Sequence, residues 1–202
     1  MAGASPTLEA PLLLLAMPQV HDPFFRRAVV LLVRHEEEGS LGFIVNRPTG
    51  IKVNEILKGM EVGWQGAEET VAHFGGPVEP HLGTVLFGPP PAQRTGGFGV
   101  EAASELLTGV SLTQHIGDLS RLAEAPPDRF RLILGYAGWG AGQLIEEILR
   151  NDWLTAPASG DLIFAADPDQ VWEAALESVG VDPASLPAWT AAPSASGDEA
   201  LN

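Results

Sequence analysis

FRLILGYAGWGAGQLIEEILRNDWL, residues 130–154, is the segment from which the architecture can be inferred most directly. Phe130–Tyr136 is an apolar run of strand length, and the glycine-rich run Gly135–Gly142 that continues it predicts a turn. The next stretch has helical periodicity, with apolar residues on one face and charged residues on the other: Leu144, Ile148 and Leu149 against Glu146, Glu147 and Arg150. The segment therefore predicts a strand–turn–helix unit against which other segments pack.

Strands dominate the predicted elements of the first half of the chain, whereas helices alternate with strands in the second half. The hydrophobic pattern predicts further strands at Leu12–Met17, Ala28–Val33, Leu41–Val45, Thr70–Phe74, Gly83–Phe87, Val110–Thr113 and Asp161–Ala165. Helices are predicted at Val53–Lys58, at Asp118–Ala125, and from the Asp167-Pro168 cap to Val179. Because no regular strand–helix alternation runs through the whole chain, we expect an α+β fold with a mixed, mostly antiparallel sheet.

The chain is expected to form one domain. Residues 1–10 are predicted to be a flexible N-terminus, residues 11–188 the domain, and residues 189–202 a disordered tail rich in small residues. The polar segment Arg34–Ser40 predicts a hairpin connection between two strands, and residues 88–99 predict an exposed loop.

Composition and charge exclude several classes of function. The 202 residues contain no cysteine, which excludes disulfides and cysteine catalysis and is consistent with a cytoplasmic location. The longest apolar run near the N-terminus, Pro11–Val20, is too short to span a bilayer, and no signal peptide is expected. The net charge of −15 would repel a phosphate backbone, so direct nucleic-acid binding is not expected. A local basic patch around Arg26, Arg27, Arg34 and Arg47 stays open.

Two turn-forming segments have both a functional and a structural interpretation. The glycines from Gly138 to Gly142 could expose backbone N–H groups to an anion, or could simply allow close strand–helix packing. The run matches neither a P-loop nor a dinucleotide-binding fingerprint. His35, followed by three glutamates, resembles a set of metal ligands, but adjacent strand residues point in alternate directions, which favours a solvated turn. No metal site is predicted.

The corner Asn46-Arg47-Pro48 is the candidate with the clearest chemistry. Arg47 ends a predicted strand and is followed by a proline that fixes the backbone. An arginine held in this way could clamp a carboxylate or phosphate in a bidentate manner, or could form a structural ion pair. No GxSxG elbow and no other nucleophile–base pair is evident, so no catalytic residue and no cofactor are assigned.

Several longer motifs resemble one family of small bacterial proteins. They are Leu14-Leu15-Ala16-Met17-Pro18 with Asp22-Pro23-Phe24-Phe25, His35 to Pro48, Gly75-Gly76-Pro77-Val78, Gly135 to Leu144, and Asn151-Asp152-Trp153-Leu154. Over residues 12–180 the chain closely resembles the YqgE/AlgH family. The resemblance implies a compact α+β protein with a barrel-like mixed sheet and flanking helices. Members are often described as transcriptional regulators because of their effects on gene expression, and the resemblance implies no catalytic activity.

The family's shared polar residues map onto His35, Asn46, Arg47, Gly75, Gly76, Tyr136 and Gln143. From the motifs and the resemblance together, the predicted ligand-binding residues are His35, Asn46, Arg47, Gly75, Gly76, Gly138 and Gly140. The first hypothesis is a non-enzymatic cytoplasmic regulatory or interaction protein that acts through a protein partner or a small anionic ligand and affects transcription indirectly. The alternative is a binding protein or hydrolase for a phosphate- or carboxylate-bearing molecule, with a site centred on Arg47.

Overall fold

The structure, a computed structural model, describes residues 8–89 and 99–187. Within these ranges the strands are β1 Leu12–Ala16, β2 Val29–Glu36, β3 Gly39–Ile44, β4 Pro48–Lys52, β5 Val71–Phe74, β6 Val78–Phe87, β7 Ser104–Leu107, β8 Val110–Thr113, β9 Phe130–Gly140 and β10 Trp153–Pro157. The helices are α1 Val53–Gly59, α2 Ile116–Glu124, α3 Gln143–Leu149, α4 Gly160–Ile163 and α5 Pro168–Ser178, followed by a 3-10 turn at Pro183–Ser185.

The strands form one curled sheet whose order is β10-β1-β2-β3-β9-β6-β8-β7. All pairs along this path are antiparallel, while β5 pairs in parallel with β9 and antiparallel with β4. The helices flank this sheet. The predicted α+β fold with a mixed, mostly antiparallel, barrel-like sheet is confirmed.

Strand β9 joins the two halves of the sheet because different partners occupy its two ends. Its first residues pair with β6 on one side and with β5 on the other, and its last residues, Ala137–Gly140, pair with β3. The prediction of a turn over Gly135–Gly142 is therefore wrong for residues up to Gly140. Within this run the close approach is at Gly135, where a Cβ would lie 2.5 Å from the Gly76 carbonyl oxygen, whereas a Cβ on Gly138 would lie 3.4 Å from the Tyr136 ring and one on Gly140 would lie 3.9 Å from the Gln143 side chain. Only Ala141 and Gly142 form a turn.

Other elements of the structure also differ from the sequence-based expectation. Residues Asp161–Ala165, predicted as a strand, contain helix α4, because the Ser159 hydroxyl accepts a hydrogen bond from the Leu162 N–H and caps a helical turn. The hairpin predicted over Arg34–Ser40 is tighter, since β2 continues to Glu36 and pairs it with Gly39. Strands β4, β7 and β10 were not predicted at all.

The predicted tail, 189–202, and most of the predicted flexible N-terminus and exposed loop lie outside the described residues. Within the described ranges, no helix has both the length and the apolar character needed to cross a membrane.

Both faces of the β1–β2 region are buried. Alternate residues contribute to two separate cores: Leu13, Leu15, Val29 and Leu31 to the first, and Leu14, Ala16, Val30 and Leu32 to the second. Helix α5 covers the first face, and α3 lies in the second core with Trp139 and Trp153. The indole N–H of Trp172 on α5 donates to the Ala16 carbonyl at 2.8 Å. This contact fixes the position of α5, whose first residues form one wall of the site described below.

Asp118 is the buried charged residue that organises the far end of the sheet. Its carboxylate accepts hydrogen bonds from the N–H groups of Glu101 and Ala102, at 2.9 and 3.0 Å, and from the Thr113 hydroxyl at 2.9 Å. Burial raises the pKa of this carboxyl, but the three hydrogen bonds outweigh burial, so its pKa lies below the ordinary value. The carboxylate therefore ties α2 to the segment before β7.

We expect Asp118→Ala to destabilise the protein by about 2 kcal/mol, because three donors lose their charged acceptor. Urea unfolding monitored by circular dichroism measures the loss. Glu124→Ala, which removes an exposed carboxylate from the same helix, is the matched control and should change stability by less than about 0.5 kcal/mol. Equal stability of the two variants would contradict a structural role for Asp118.

Candidate functional site

Three arginines meet in one open cleft. Its cavity measures about 680 Å³ and lies between the turn that precedes β2, the end of β3 and the start of α5. We call it the arginine cleft, and its lining residues are Pro23, Arg26, Arg27, Asn46, Arg47, Pro168 and Asp169. Of the four arginines considered as a basic patch from sequence, Arg34 is not part of this lining; it lies on β2, beside Glu36.

The turn before β2 presents Arg26 and Arg27. Asp22 starts the turn, since its side chain accepts from the Phe24 N–H at 2.8 Å and its carbonyl accepts from the Arg26 N–H at 3.1 Å. Arg27 closes the turn with φ of 53°, a left-handed conformation that non-glycine residues seldom adopt. Such a conformation persists only where surrounding contacts hold it.

Asn46 supplies those contacts. Its side chain is buried, its amide NH₂ donates to the Arg27 carbonyl at 2.9 Å, and its amide oxygen accepts from the Val29 N–H at 2.8 Å. Both ends of the amide are thus bonded to the backbone of the arginine turn. The predicted site residue Asn46 lies at the site, and its contacts make it a positioning residue.

Arg47 lies in surroundings that lower its pKa. Its guanidinium donates to the Arg26 carbonyl, and it is half-buried. Burial is the main reason why the pKa of Arg47 is lowered; Asp169 opposes the shift, and the charges of Arg26 and Arg27 add to it. The positive form of Arg47 is therefore disfavoured by its surroundings, and a bound anion would reverse this.

Arg27 is anchored by α5. Its guanidinium pairs with Glu173 and lies over the Trp172 ring, with its Cζ atom 4.8 Å from the ring centroid. Part of its charge is thus already balanced outside the cleft. Within the described part of the lining, three arginines and one carboxylate, Asp169, face the cleft.

Gly75 and Gly76, also predicted as ligand-binding residues, lie buried where the chain after β5 meets β9. The Gly75 N–H donates to the Leu134 carbonyl at 2.8 Å, and its carbonyl accepts from the Ile44 N–H at 2.8 Å. A Cβ on Gly76 would lie 2.2 Å from the Tyr136 carbonyl carbon. The Arg47 carbonyl bonds to Phe74, so these glycines are near the Arg47 backbone, but their own contacts are with other strands.

The remaining predicted residues lie at the other end of β2 and β3. His35 is six residues beyond Val29 on β2, roughly 20 Å away at about 3.3 Å per residue, and its Nδ1 contacts the Ser40 hydroxyl at 2.7 Å. Gly138 and Gly140 pair with Leu41 and Gly39, at the start of β3. The Gly140 N–H donates to the Gln143 side chain at 3.0 Å. The structure therefore separates His35, Gly138 and Gly140 from Arg47.

Sequence reasoning missed a carboxylate held by two tryptophans. Glu147 accepts hydrogen bonds from the indole N–H groups of Trp139 and Trp153, both at 2.8 Å, and from the Gln143 amide at 2.8 Å. These contacts tie α3 to β9 and β10. Gln143 and Glu147 are four residues apart on a helix, and this spacing could have predicted the hydrogen bond between them. The contacts of Glu147 with the two tryptophans depend on the tertiary fold and could not be predicted in this way.

Comparisons with known proteins agree with this architecture. The model of a family described as AlgH-like, DUF179, matches residues 13–184. A UPF0301 protein of Myxococcus xanthus is 38% identical over 178 residues, covering 88% of this chain and 94% of the relative. A UPF0301 protein of Methylococcus capsulatus is 39% identical over 171 residues, covering 84% of this chain and 88% of the relative.

Two solved structures are similar to this one. The solution structure of the AlgH protein from Pseudomonas aeruginosa has a TM-score of 0.70 and 33% identity, covering 90% of this chain and 94% of that chain. A crystal structure of a protein from Corynebacterium diphtheriae has a TM-score of 0.68 and 20% identity, covering 87% and 90%. The second likeness supports the fold alone.

Proposed function

We propose a function for this chain, which belongs to the AlgH-like family. It is a non-enzymatic cytoplasmic regulatory protein that binds a phosphate- or carboxylate-bearing small molecule in the arginine cleft. The observation that carries the proposal is the convergence of Arg26, Arg27 and Arg47 around one cavity, whose described lining residues include a single carboxylate, Asp169.

Charge and size support this class of ligand. Burial is the main cause of the lowered pKa of Arg47; Asp169 opposes it and the two neighbouring arginines add to it, so a further anion in the cleft would favour the charged guanidinium, as Asp169 does. Arginine also recognises carboxylate and phosphate groups in a bidentate geometry. The cavity, about 680 Å³, lies in the size range of small-molecule sites, which is roughly 300–1,000 Å³.

The lining favours binding over hydrolysis. Among the residues that the structure describes, the lining of the arginine cleft includes no histidine, serine, threonine or lysine, and Asp169 is its one candidate for a general base. A hydrolase would need a nucleophile or an activated water beside that base. Because the lining offers charge recognition without this pair, the hydrolase alternative has the weaker support.

A regulatory role would follow if ligand binding changes what the surface presents to a protein partner. The cleft contacts the start of α5, and α5 packs across β1 and β2, so a ligand would bridge elements from three parts of the chain. Direct action on nucleic acid is disfavoured, because the net charge of −15 surrounds a small positive site. An effect on transcription would then be indirect.

A thermal-shift screen against nucleotides, phosphosugars and carboxylates tests the proposal. A ligand that binds only the folded state stabilises it by about 2.7 kcal/mol at a concentration 100 times its Kd. We expect at least one anionic compound to raise the Tm of the wild type and to lose this effect in Arg47→Ala. Arg34→Ala removes the same charge from β2, away from the lining, and should retain the shift. Stabilisation that survives Arg47→Ala would place the ligand elsewhere.

A further inference from the structure

A second cavity, of about 440 Å³, contains a buried arginine and a buried histidine that the arginine cleft does not use. We call it the His73 cavity, and its polar lining residues include Thr70, His73, Asp128, Arg129 and Arg131. The parallel pairing of β5 and β9 sets His73 beside Ile133. Arg131 is two residues before Ile133 and thus on the same face of the sheet, which places it diagonal to His73.

Arg131 carries a buried positive charge that contacts two neutral backbone carbonyls. Its side chain is 6% exposed, and its guanidinium donates to the Val45 carbonyl and, at 2.7 Å, to the Ala165 carbonyl. Among residues 8–89 and 99–187, no carboxylate forms an ion pair with it. Burial lowers the pKa of Arg131 to about 10. A guanidinium has five N–H donors, so donors remain after both carbonyls are satisfied.

His73 is also buried and has an unpaired polar atom. Its side chain is 9% exposed, and its buried Nδ1 has no hydrogen-bond partner among the described residues. Buried polar atoms in folded proteins are almost always paired, so an unpaired nitrogen in a residue that lines a cavity needs an explanation. Burial, and next the nearby charge of Arg131, lower the pKa of His73 to about 4, while a backbone hydrogen bond at Val71 acts in the opposite direction, so the ring is neutral at pH 7. A neutral ring can still donate one N–H.

The other charged residues at this cavity do not neutralise Arg131. Arg129 is paired with Asp161, at 2.5 Å, and Asp128 is exposed, where water weakens its field. An oxyanion inside the cavity would accept from the remaining guanidinium donors of Arg131 and, in the tautomer that carries the proton on Nδ1, from the ring N–H of His73. Among residues 8–89 and 99–187, Arg131 has no carboxylate partner and His73 Nδ1 has no hydrogen-bond partner, so the oxyanion would supply an acceptor to both side chains.

We propose that the His73 cavity is a second binding site for a small oxyanion, a carboxylate or a phosphate group, held by Arg131 and His73. The site differs from the arginine cleft in the residues that would hold the anion: the two cavities share Pro168, but the lining of the arginine cleft includes neither Arg131 nor His73. It does not depend on the function proposed for that cleft.

Nuclear magnetic resonance of the histidine rings tests the site. Sodium sulfate is the probe, at pH 7 and constant ionic strength with chloride as the balancing ion. We expect a saturable shift of the His73 ring nitrogens that assigns the proton to Nδ1. His73→Leu, followed through backbone amides of β5, should weaken sulfate binding by roughly tenfold, the loss of one hydrogen bond to a charged acceptor. Acetate and inorganic phosphate, titrated in the same way, distinguish the two classes of oxyanion.

Two further variants make the outcome decisive. Arg131→Met should abolish the saturable shift; if it does not fold, His73→Leu still tests the proposal. Arg47→Ala distinguishes the two sites: a shift that persists in it and weakens in His73→Leu supports the His73 cavity. A response that is lost in Arg47→Ala but unchanged in His73→Leu would assign the anion to the arginine cleft and overturn this proposal. A linear, unsaturable response would overturn it as well.

Discussion

Gly76→Ala should prevent stable folding, with an expected loss of at least about 4 kcal/mol. Gly76 has φ of 151°, a conformation that residues with a Cβ rarely adopt, and its Cβ would lie 2.2 Å from both the carbonyl carbon and the carbonyl oxygen of Tyr136. These are backbone atoms of β9, the strand that joins the two halves of the sheet, so they cannot move without breaking its pairing with β6. The close approach of the Tyr136 carbonyl group therefore explains why a glycine is needed at position 76.

Circular dichroism and urea unfolding measure this loss, with Gly63→Ala as the control. Gly63 is exposed and a Cβ there meets nothing within 4 Å, so its substitution should change stability by less than about 0.5 kcal/mol. The experiment also separates two interpretations of the Gly75-Gly76 motif. A Gly76→Ala protein that folds normally and only loses ligand binding would show that the motif is part of an anion site, contrary to the packing described above.

Acid should destabilise the wild type more than the His73→Leu variant, by about 3 kcal/mol between pH 7 and pH 4. The pKa of His73 is about 4 in the folded state and 6.5 in its ordinary state. Between these values the unfolded chain binds a proton that the folded protein does not, so stability falls as pH falls from about 6.5 to about 4. Above this window the ring is neutral in both states and contributes no pH dependence.

Urea unfolding at pH 7, 5.5 and 4 measures the difference between the two proteins. Carboxylates such as Asp118 also gain protons in acid, but they do so in both proteins, so the comparison isolates His73. His81→Leu, which removes an exposed histidine, serves as the control. If wild type and His73→Leu lose stability in parallel, His73 is not held neutral by its buried position.

The elements that were predicted correctly are those whose signals are local. The strands β1, β2 and β3 carry continuous apolar runs, and α5 begins at the predicted Asp167-Pro168 cap, where the Asp167 carboxylate accepts from the Asp169 N–H at 3.0 Å. The family resemblance is likewise confirmed by the match over residues 13–184. In each case a few neighbouring residues contain the information.

The elements that were missed depend on distant partners. Residues Gly135 to Gly140 have the composition of a turn, and they become strand because β3 lies beside them. Tertiary pairing outweighs the low strand propensity of glycine in such positions. Similarly, Asp161–Ala165 is apolar enough for a strand, but the Ser159 cap directs it into a helix.

The site was only partly accessible from sequence for the same reason. Arg47 could be singled out because Pro48 follows it, and Arg26 and Arg27 could be noted as basic neighbours. The wall formed by Pro168 and Asp169 comes from a helix more than a hundred residues later in the chain, and nothing local links it to Arg47. The burial of Arg131 could not be predicted from its segment, because arginines are mostly found at the protein surface even when their neighbours in the sequence are apolar.

The measurement that tests the central claim most directly is calorimetric titration of the best ligand from the thermal-shift screen. It compares the wild type with Arg26→Gln, Arg47→Gln and Arg34→Gln, three substitutions that remove the same charge. If the arginine cleft is the binding site, Arg26→Gln and Arg47→Gln should each weaken binding by roughly tenfold or more, while Arg34→Gln leaves it unchanged. Equal weakening in all three variants would mean that only the overall charge matters, and would contradict a specific anion site at Arg47.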